Sequence, residues 1–149
     1  MEDIKIVSAQ PSDAEELSEI SMTAKSYWQY PDEWLLRWKE ELTITSDYIE
    51  KHHVCTLQSI YQIVGFCALE KYLDYCEIAH LWLRPSFMLK GLGKRLLHHT
   101  LSVVDKGTEV RVVADPHAEL FYQKQGFVAY DQVESSPPGR QLPLMKKVM

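Results

Sequence analysis

A short glycine-containing segment is the first place where the residue types of this chain suggest chemistry. The segment Lys90–Lys94 reads Lys-Gly-Leu-Gly-Lys and is followed by Arg95. Glycines permit backbone paths that a Cβ would block, so several amide N–H groups can converge on one concavity. A helix beginning here would add its positive dipole end, and the basic side chains add charge. The segment is a candidate pyrophosphate site, although a tight turn with solvated lysines would use the same residues.

Several better-known motifs are absent from the sequence. The glycine segment is not a Gly-x-x-x-x-Gly-Lys-Ser/Thr loop, and it lacks the third glycine of a dinucleotide fingerprint. No Gly-x-Ser-x-Gly elbow is present, which excludes an α/β-hydrolase. The adjacent pairs His52-His53 and His98-His99 do not have metal-ligand spacing, so we expect no metal site.

Length and composition indicate one globular domain. The chain has 149 residues, 46% of them hydrophobic and 25% charged, and we expect a single domain over residues 1–149. The 16 basic and 21 acidic residues give a net charge of −5, which disfavours binding to nucleic acid or to an anionic membrane. No apolar run could span a bilayer, and the stretch Met1–Lys5 lacks the apolar core of a signal peptide.

Three cysteines, Cys55, Cys67 and Cys76, lie in apolar strand-like runs and form no Cys-x-x-Cys motif. Their odd number and apolar surroundings predict buried free thiols in a reducing compartment. We therefore expect a cytoplasmic protein.

The residue pattern in the first third of the chain predicts a strand followed by helices. Lys5–Val7 is a short apolar strand. Ser12 and Glu15 have the spacing of a capping box and predict the start of a first helix. Asp32 can cap a second helix, and Thr45 precedes a third, shorter one.

The middle of the chain predicts a hairpin, a strand and a helix. Alternating apolar residues indicate strands over Val54–Leu57, Tyr61–Leu69 and Cys76–Leu83. A leucine-rich helix follows Gly93, with Gly107 as its expected terminator.

The last part predicts three strands and one helix. Glu109–Ala114 is rich in β-branched residues, and Asp115-Pro116 is a favourable start for a helix that ends at Gly126. Phe127–Val133 and Leu142–Val148 would close the sheet. This order favours an α/β protein in which helices cover a central sheet of mixed direction.

The glycine segment resembles the acetyl-CoA loop of the GCN5-related N-acetyltransferase (GNAT) superfamily. The family pattern is Arg or Gln, two residues, Gly, any residue, Gly or Ala, and it follows a strand. Here Gly91 and Gly93 match, the strand ends at Leu83-Arg84-Pro85, and Met88 stands where Arg or Gln is usual.

A second motif downstream strengthens the resemblance. The family pattern is Asn-x-x-Ala-x-x-x-Tyr-x-x-x-Gly-Phe. Ala118, Tyr122, Gly126 and Phe127 match it, and Asp115 stands where Asn is usual. Two motifs in the family's order are far more specific than either one alone.

The resemblance implies a GNAT-like α/β (α+β) fold: a central mixed, mostly antiparallel sheet, flanked by helices, whose fourth and fifth strands splay apart. The segments Trp28–Tyr30 and Pro138–Leu144 further resemble an uncharacterised bacterial subgroup. The pantetheine arm of acetyl-CoA would pair with the fourth strand. The residues thereby implied in binding the donor are Leu81, Trp82, Leu83, Met88, Leu89, Lys90, Gly91, Leu92, Gly93, Lys94, Arg95, Asp115 and Phe121.

The resemblance also implies direct acyl transfer, in which an amine attacks the thioester and a thiolate leaves. Tyr122 matches the family tyrosine that protonates the thiolate, although it could instead be a packing residue. Glu77 lies at the position of the catalytic glutamate of histone-type members, and His80 is an alternative base with a suitable ordinary pKa. Side chains three apart on a strand point to opposite faces, so only one should serve unless a bulge intervenes. A water chain without a single base is a third possibility.

The acceptor pocket of the family is walled by the region between the first two helices. Trp28 and Tyr30 lie there and could hold an amine by cation–π contact, although aromatic core packing is the alternative. Arg140, in a Pro-Pro-Gly loop, could bind an acceptor carboxylate or could be structural.

The sequence thus predicts a cytoplasmic N-acetyltransferase that moves an acetyl group from acetyl-CoA to a small-molecule or peptide amine, without a metal. Two alternatives stay open: a non-catalytic acyl-CoA-binding or sensing module, and an acyltransferase that uses a longer acyl-CoA. Neither nucleic acid nor membrane is expected as a partner. A homodimer is possible, since many relatives dimerise.

Overall fold

The computed structural model describes residues 3–149; Met1 and Glu2, part of the N-terminal stretch considered above, lie outside the described residues. No helix among the described residues is both long and apolar enough to cross a membrane. The strands are β1 (Lys5–Ser8), β2 (His53–Gln58), β3 (Ile63–Lys71), β4 (Tyr75–Leu83), β5 (Glu109–Val113), β6 (Val128–Ser135) and β7 (Arg140–Val148). The helices are α1 (Ala14–Ser26), α2 (Asp32–Leu42), α3 (Ser46–Lys51), α4 (Leu92–Leu101) and α5 (Glu119–Lys124).

The strands form one sheet in the order β1-β2-β3-β4-β5-β7-β6. The pairs β1–β2, β2–β3, β5–β7 and β6–β7 are antiparallel, whereas β4 and β5 are parallel. The sheet is therefore mixed and mostly antiparallel, and with its helices it confirms the predicted fold class.

The parallel ladder between β4 and β5 is short. It joins Tyr75–Ile78 to Glu109–Val112, residue for residue. Strand β4 continues beyond the last of these pairs to Leu83.

The described residues fall into two compact units. The first comprises the chain up to Leu69 together with His80–Ser102, and the second comprises Glu70–Ala79 with Val103–Met149. The expectation of a single domain over residues 1–149 stays a prediction.

The core of the first unit forms where α1 and α3 pack against β2 and β3. Burial of these apolar side chains is the main force that holds the layers together. The fully or almost fully buried members are Leu17, Ile20, Ile44, Ile49, Val54, Ile63, Phe66 and Ala68. Two serines of α1 also bond to the chain at and just beyond the end of α2. Ser21 Oγ donates to the Leu42 carbonyl, and Ser18 Oγ donates to the Ile44 carbonyl over 3.0 Å.

Several residues of the second unit are buried. Val110 and Val112 of β5 and Met145 of β7 are buried, as are Tyr122 and Phe127. Strand β6 is the edge strand of the sheet, and nearly all its residues are exposed.

The helix boundaries correct three details of the sequence prediction. The first helical turn begins at Pro11. The capping-box contact there is made by Asp13, whose carboxylate accepts the Gln10 N–H over 2.8 Å. Ser12 and Glu15 do not make this contact. Pro31 occupies the N-cap of α2, with Asp32 inside the helix.

The third detail concerns the end of α4. This helix ends at Leu101, and Gly107 lies in the connection to β5, where its positive φ of 90° still requires glycine. The predicted start of α3 is confirmed, because the Thr45 side chain accepts the Tyr48 N–H over 3.1 Å.

Candidate functional site

The glycine segment forms an open N-terminus of α4. Gly91 is the N-cap residue and has a φ of +78°, a left-handed conformation that favours glycine. The first bond of the helix runs from Arg95 N–H to the Gly91 carbonyl over 3.2 Å. The amides of Leu92, Gly93 and Lys94 therefore have no partner one turn earlier in the helix, and a glycine at the N-cap supplies no side chain to receive them. This arrangement suits an anion.

The residues before Gly91 form the approach to that helix end. Met88 N–H donates to the Pro85 carbonyl over 3.2 Å and closes a tight turn. Leu89 has a φ of +61° and a fully exposed side chain, an unusual combination for a leucine. Lys90 places its ammonium 5.6 Å from the centre of the Phe87 ring.

Arg95 is used partly to hold the N-terminal segment. Its guanidinium donates to the Ile4 carbonyl over 2.8 Å. Lys94 is exposed beside it in the first turn of α4. Of the three basic residues predicted to supply charge, Arg95 thus has a structural contact of its own.

Arg84, to which the sequence analysis assigned no role, fixes the end of β4. Its Nε donates to the Ile63 carbonyl over 2.8 Å, and its two Nη atoms contact Glu19 and Glu16 at 3.0 and 3.2 Å. Glu16 also accepts the Ile63 N–H over 3.1 Å. The guanidinium therefore ties α1 and β3 to the residue at which the chain leaves β4 for the glycine segment. The residues concerned lie 65 and 68 positions apart in sequence, so no local pattern could have revealed the contact.

The end of β4 lies close to β3 because Gly65 has no side chain. A Cβ on Gly65 would lie 2.5 Å from Leu83 Cδ2 and 2.7 Å from the Trp82 carbonyl oxygen. Leu81, Trp82 and Leu83 are half-buried at this place.

His80 is held in one orientation by its neighbour on the same face of β4. The Trp82 indole N–H donates to His80 Nδ1 over 3.0 Å. Because an indole nitrogen can only donate, Nδ1 must accept, and the hydrogen of the neutral imidazole is assigned to Nε2. The imidazole also lies against the rings of Tyr48 and Phe66, with centroids 5.9 Å away in both cases.

An aromatic cluster follows α1. Tyr30 stacks on Trp34 at 6.0 Å between centroids and meets Trp38 edge-on at 5.1 Å. Trp28 packs edge-on against Tyr27 at 4.9 Å. Trp38 is buried, whereas Trp28 and Tyr30 are half-buried.

Lys25 places its ammonium among these rings, which the sequence analysis did not anticipate. The Nζ atom lies 4.6 Å from the centroid of Trp38, 5.1 Å from that of Tyr30 and 5.9 Å from that of Trp82. Rings from the connection between α1 and α2, from α2 and from β4 thus surround one cation.

In the second unit, Glu77 is the half-buried carboxyl of β4. Burial raises its pKa above the ordinary 4.5; the negative charge of Glu70 adds to the rise, and Arg111 opposes it. Arg111 is the direct neighbour of Glu77 in the parallel ladder and lies 3.9 Å above the Tyr75 ring.

Tyr122, also in the second unit, is only 5% exposed. Its ring meets Phe121 and Phe127 edge-on, with centroids 5.1 and 5.4 Å away. The Tyr122 carbonyl accepts the Phe127 N–H over 3.0 Å, which fixes the end of α5.

Asp115 and Arg140, predicted for different ligands, form an ion pair with each other. Asp115 Oδ2 accepts from Arg140 Nη2 over 3.1 Å, and both side chains are 13% exposed. Asp115 Oδ1 accepts the His117 N–H over 2.9 Å and so caps the turn before α5. Asp115, which stands where Asn is usual, therefore has an ionic partner within the structure. The Arg140 guanidinium correspondingly faces a carboxylate of its own chain.

The cysteines and the metal-binding residue types provide no further site. Cys55, Cys67 and Cys76 are buried free thiols, as predicted. Burial raises the pKa of all three and brings that of Cys67 to about 12, so the thiols are poor nucleophiles near neutral pH. Within residues 3–149, no group of His, Cys, Asp and Glu side chains is arranged to hold a metal ion.

The chain was compared in sequence with known protein families and with curated proteins. The model of a family described as the acetyltransferase (GNAT) domain matches residues 50–129, which include Glu77, the glycine segment and Tyr122. No curated protein sequence matches the chain.

Solved structures with the same fold are numerous but distant in sequence. PaiA N-acetyltransferase from Thermoplasma acidophilum, solved in complex with coenzyme A, has a TM-score of 0.78 and 21% identity over 99% of both chains. A GCN5-related N-acetyltransferase from Rhodopseudomonas palustris has a TM-score of 0.75 and 18% identity over 100% of this chain and 96% of its own. The ribosomal-protein-S18-alanine N-acetyltransferase from Escherichia coli has a TM-score of 0.68 and 17% identity over 97% of this chain and 92% of its own.

Proposed function

The chain belongs to the acetyltransferase (GNAT) domain family, and from this premise we propose that it transfers an acetyl group from acetyl-CoA to a primary amine by direct attack in a ternary complex. The observation that carries the proposal is the open N-terminus of α4 at Gly91, preceded by a strand end that Arg84 holds in place. A PaiA N-acetyltransferase of the same fold was solved with coenzyme A, which supports a CoA-based donor.

The pyrophosphate of the donor is assigned to the first turn of α4. The amides of Leu92, Gly93 and Lys94 would donate to phosphate oxygens, and the helix dipole favours negative charge there. Lys90 and Lys94 add positive charge. Met88, Leu89, Gly91 and Arg95 are proposed to shape this cradle through the backbone more than through their side chains.

The pantetheine arm is assigned to the backbone of Leu81–Leu83. The ladder of β4 with β5 ends at Ile78, and β4 continues to Leu83, so this segment is the part of the strand proposed to pair with the donor's amide groups. The close approach of β3 at Gly65 and the Arg84 fork would keep the segment straight.

Glu77 is the better supported of the two candidate bases. Its raised pKa brings a carboxylate nearer to the basicity that proton abstraction needs, directly or through a water molecule. His80 Nδ1 already accepts the Trp82 indole N–H, and Nε2 carries the hydrogen in the neutral ring, so His80 is set up to donate. We therefore assign His80 a positioning role for Trp82.

Tyr122 is proposed as the acid. In the reaction the amine nitrogen bonds to the thioester carbon, the carbon–sulfur bond breaks, the base takes the amine proton, and the Tyr122 hydroxyl protonates the thiolate. Phe121 and Phe127 hold the Tyr122 ring edge-on on two sides, which supports a fixed orientation of the phenol. Asp115, paired with Arg140, is proposed to order the turn that precedes α5.

The acceptor is proposed to be a small-molecule or peptide amine, received beside Trp28 and Tyr30. Arg140 is a weaker candidate for binding an acceptor carboxylate, because that ligand would have to replace Asp115. A cytoplasmic location is part of the proposal, since three buried free thiols suit a reducing compartment.

Calorimetric titration tests the donor assignment. The protein is titrated with acetyl-CoA, with free CoA and with a longer acyl-CoA, and thiol release is then followed over a panel of primary amines. We expect acetyl-CoA to bind and at least one amine to trigger thiol release. Tighter binding and faster turnover of the longer acyl-CoA would show that the donor is that compound and not acetyl-CoA. If the folded protein bound no CoA species, the proposal would be overturned.

A further inference from the structure

An aromatic box, formed by the rings of Tyr30, Trp38 and Trp82, surrounds the ammonium of Lys25. All three ring centroids lie between 4.6 and 5.9 Å from Nζ. Protein sites that recognise alkylammonium ligands use the same arrangement, in which the faces of several rings attract one cation. The structure therefore contains a built site for an ammonium group, occupied by a lysine of its own chain.

Two further features stabilise positive charge at this point. Lys25 lies in the last turn of α1, where the negative end of the helix dipole attracts cations. Trp38 is only 4% exposed, so one wall of the box is shielded from water, which strengthens a cation–π contact. The Trp82 ring is held in place by its hydrogen bond to His80.

The box also lies at the strand proposed to hold the donor. Trp82 stands between Leu81 and Leu83, the residues to which the proposed function assigns the pantetheine arm. An acceptor nitrogen must come within contact distance of the thioester carbon for acyl transfer to occur. An ammonium site that shares Trp82 with the donor strand would hold an acceptor beside that strand. The ammonium must then lose a proton before its nitrogen can attack the thioester, because only the neutral amine is a nucleophile.

We propose that the aromatic box is the ammonium site for the acceptor and that Lys25 is its resident occupant, which an alkylammonium acceptor displaces. This inference rests on the proposed function for the identity of the ligand as an acceptor. Lys25 thereby sets the affinity of the box, because every acceptor competes with it. The apparent affinity for an acceptor equals the affinity of the empty box multiplied by the fraction of molecules in which the box is empty.

Removal of the Lys25 side chain should open the box to an external amine. Wild-type protein, Lys25→Ala and Lys25→Arg are titrated with n-butylammonium chloride without any CoA compound, and binding is followed by tryptophan fluorescence. We expect Lys25→Ala to lower the Kd for n-butylammonium by about tenfold or more, since nearly complete occupancy by lysine reduces affinity at least that much. Lys25→Arg keeps a cation in place and should stay within about twofold of the wild type.

Two controls separate a cation site from an apolar cavity. n-Butanol has the same chain without charge and should gain no affinity in Lys25→Ala. Tyr30→Leu, introduced into the Lys25→Ala background, should remove most of the gain, while Lys39→Ala, an exposed lysine of α2, should leave binding at the wild-type value. Thermal unfolding of each variant establishes that it is folded.

Equal affinity of wild type and Lys25→Ala for n-butylammonium would overturn the inference, as would an equal gain for n-butanol. A separate titration with acetyl-CoA tests the proposed function. Acetyl-CoA binding without a gain for Lys25→Ala would refute only the occupant role of Lys25. A gain without acetyl-CoA binding would support the ammonium site and overturn the proposed donor.

Discussion

The indole N–H of Trp82 donates to Nδ1 of His80 over 3.0 Å, and from this bond we infer that Glu77 is the better candidate for the base. Protonation of His80 at Nδ1 would place two donors face to face and break the bond. An imidazole that keeps this bond is therefore neutral, with its hydrogen on Nε2. The carboxyl of Glu77, whose pKa is raised by burial, has no such constraint in its described surroundings.

Glu77→Gln should lower kcat/KM by about a hundredfold, a typical contribution of general-base catalysis. Because the pKa of Glu77 lies above its ordinary 4.5, the acid limb of the wild-type pH–rate profile should lie above that pH, and the variant should lose it. His80→Asn, which keeps an acceptor for the indole, should retain the limb. Loss of the limb in His80→Asn and its persistence in Glu77→Gln would reverse the assignment.

The same raised pKa predicts a stability effect of defined sign. A carboxyl that binds its proton more tightly in the folded state contributes stability below its unfolded-state pKa, and that contribution is lost as the pH rises through the folded-state value. The free energy of unfolding of Glu77→Gln, relative to that of the wild type, should therefore increase as the pH rises from 4 to 7. Urea unfolding at both pH values measures the difference, and a change in the opposite direction would show that Arg111 outweighs burial.

Gly91→Ala should weaken acetyl-CoA binding by about tenfold, because a left-handed N-cap strained by a Cβ would shift the amides of the first turn of α4. Gly107→Ala is the matched control. Gly107 has a φ of +90°, and a Cβ at either glycine meets nothing within 4 Å, so both changes strain the backbone alike. Both variants should lose about 1 kcal/mol of unfolding free energy, and only Gly91→Ala should change the calorimetric Kd. Equal donor affinity in the two variants would remove the glycine segment from the site.

Gly65→Ala should be more harmful to folding than Gly107→Ala. Its Cβ would lie 2.7 Å from the backbone oxygen of Trp82, which cannot rotate away as a side chain can. We expect a loss of about 1–3 kcal/mol, typical of an added group in a packed core, measured by urea unfolding. A loss no larger than that of Gly107→Ala would mean that β4 moves freely at this point.

The two carboxylates that contact Arg84 should differ in importance. Glu19 is 63% exposed and makes one contact, so Glu19→Gln should cost about 0–1 kcal/mol of stability. Glu16 is 37% exposed and also accepts the Ile63 N–H, so Glu16→Gln should cost about 1–2 kcal/mol. Because Arg84 leads into the glycine segment, the Kd for acetyl-CoA should rise more in Glu16→Gln than in Glu19→Gln. Identical effects of the two changes would show that the fork does not position the segment.

Tyr122→Phe should lower kcat by about a hundredfold and leave the Kd for acetyl-CoA unchanged, because only the hydroxyl is lost. Tyr130→Phe, at an exposed tyrosine of β6, provides the control and should behave as the wild type. Steady-state kinetics and calorimetry measure the two quantities. A rise in Kd without a fall in kcat would assign Tyr122 to packing against the donor.

Local patterns in the sequence predicted most of the fold. Alternation of apolar residues predicted β2, β3 and β4, and the leucines after Gly93 predicted α4, because these signals depend only on neighbouring residues. The capping box at Ser12 and Glu15 was wrong since Gln10 and Asp13 offered the same spacing nearby. Gly107 was misread as a helix terminator because its positive φ serves a later turn.

The candidate site was only partly predictable, because its key contacts are distant in sequence. The pair of Asp115 and Arg140 spans 25 positions, and that of Arg84 and Glu16 spans 68. Lys25 resembled any charged residue at a helix end, and nothing local indicated that three rings would surround its ammonium. Motifs identify a segment, whereas such long-range contacts appear only when the chain is folded.

Catalysis by this protein is tested by supplying acetyl-CoA that carries a labelled acetyl group together with a mixture of primary amines. Mass spectrometry then follows the transfer of the label. We predict that labelled amide and free CoA form in equal amounts, that Tyr122→Phe slows both together, and that Tyr130→Phe slows neither. Binding of acetyl-CoA with neither amide nor free CoA formed would contradict the claim of catalysis and indicate a sensing module. Release of CoA without labelled amide would equally contradict transfer to an amine.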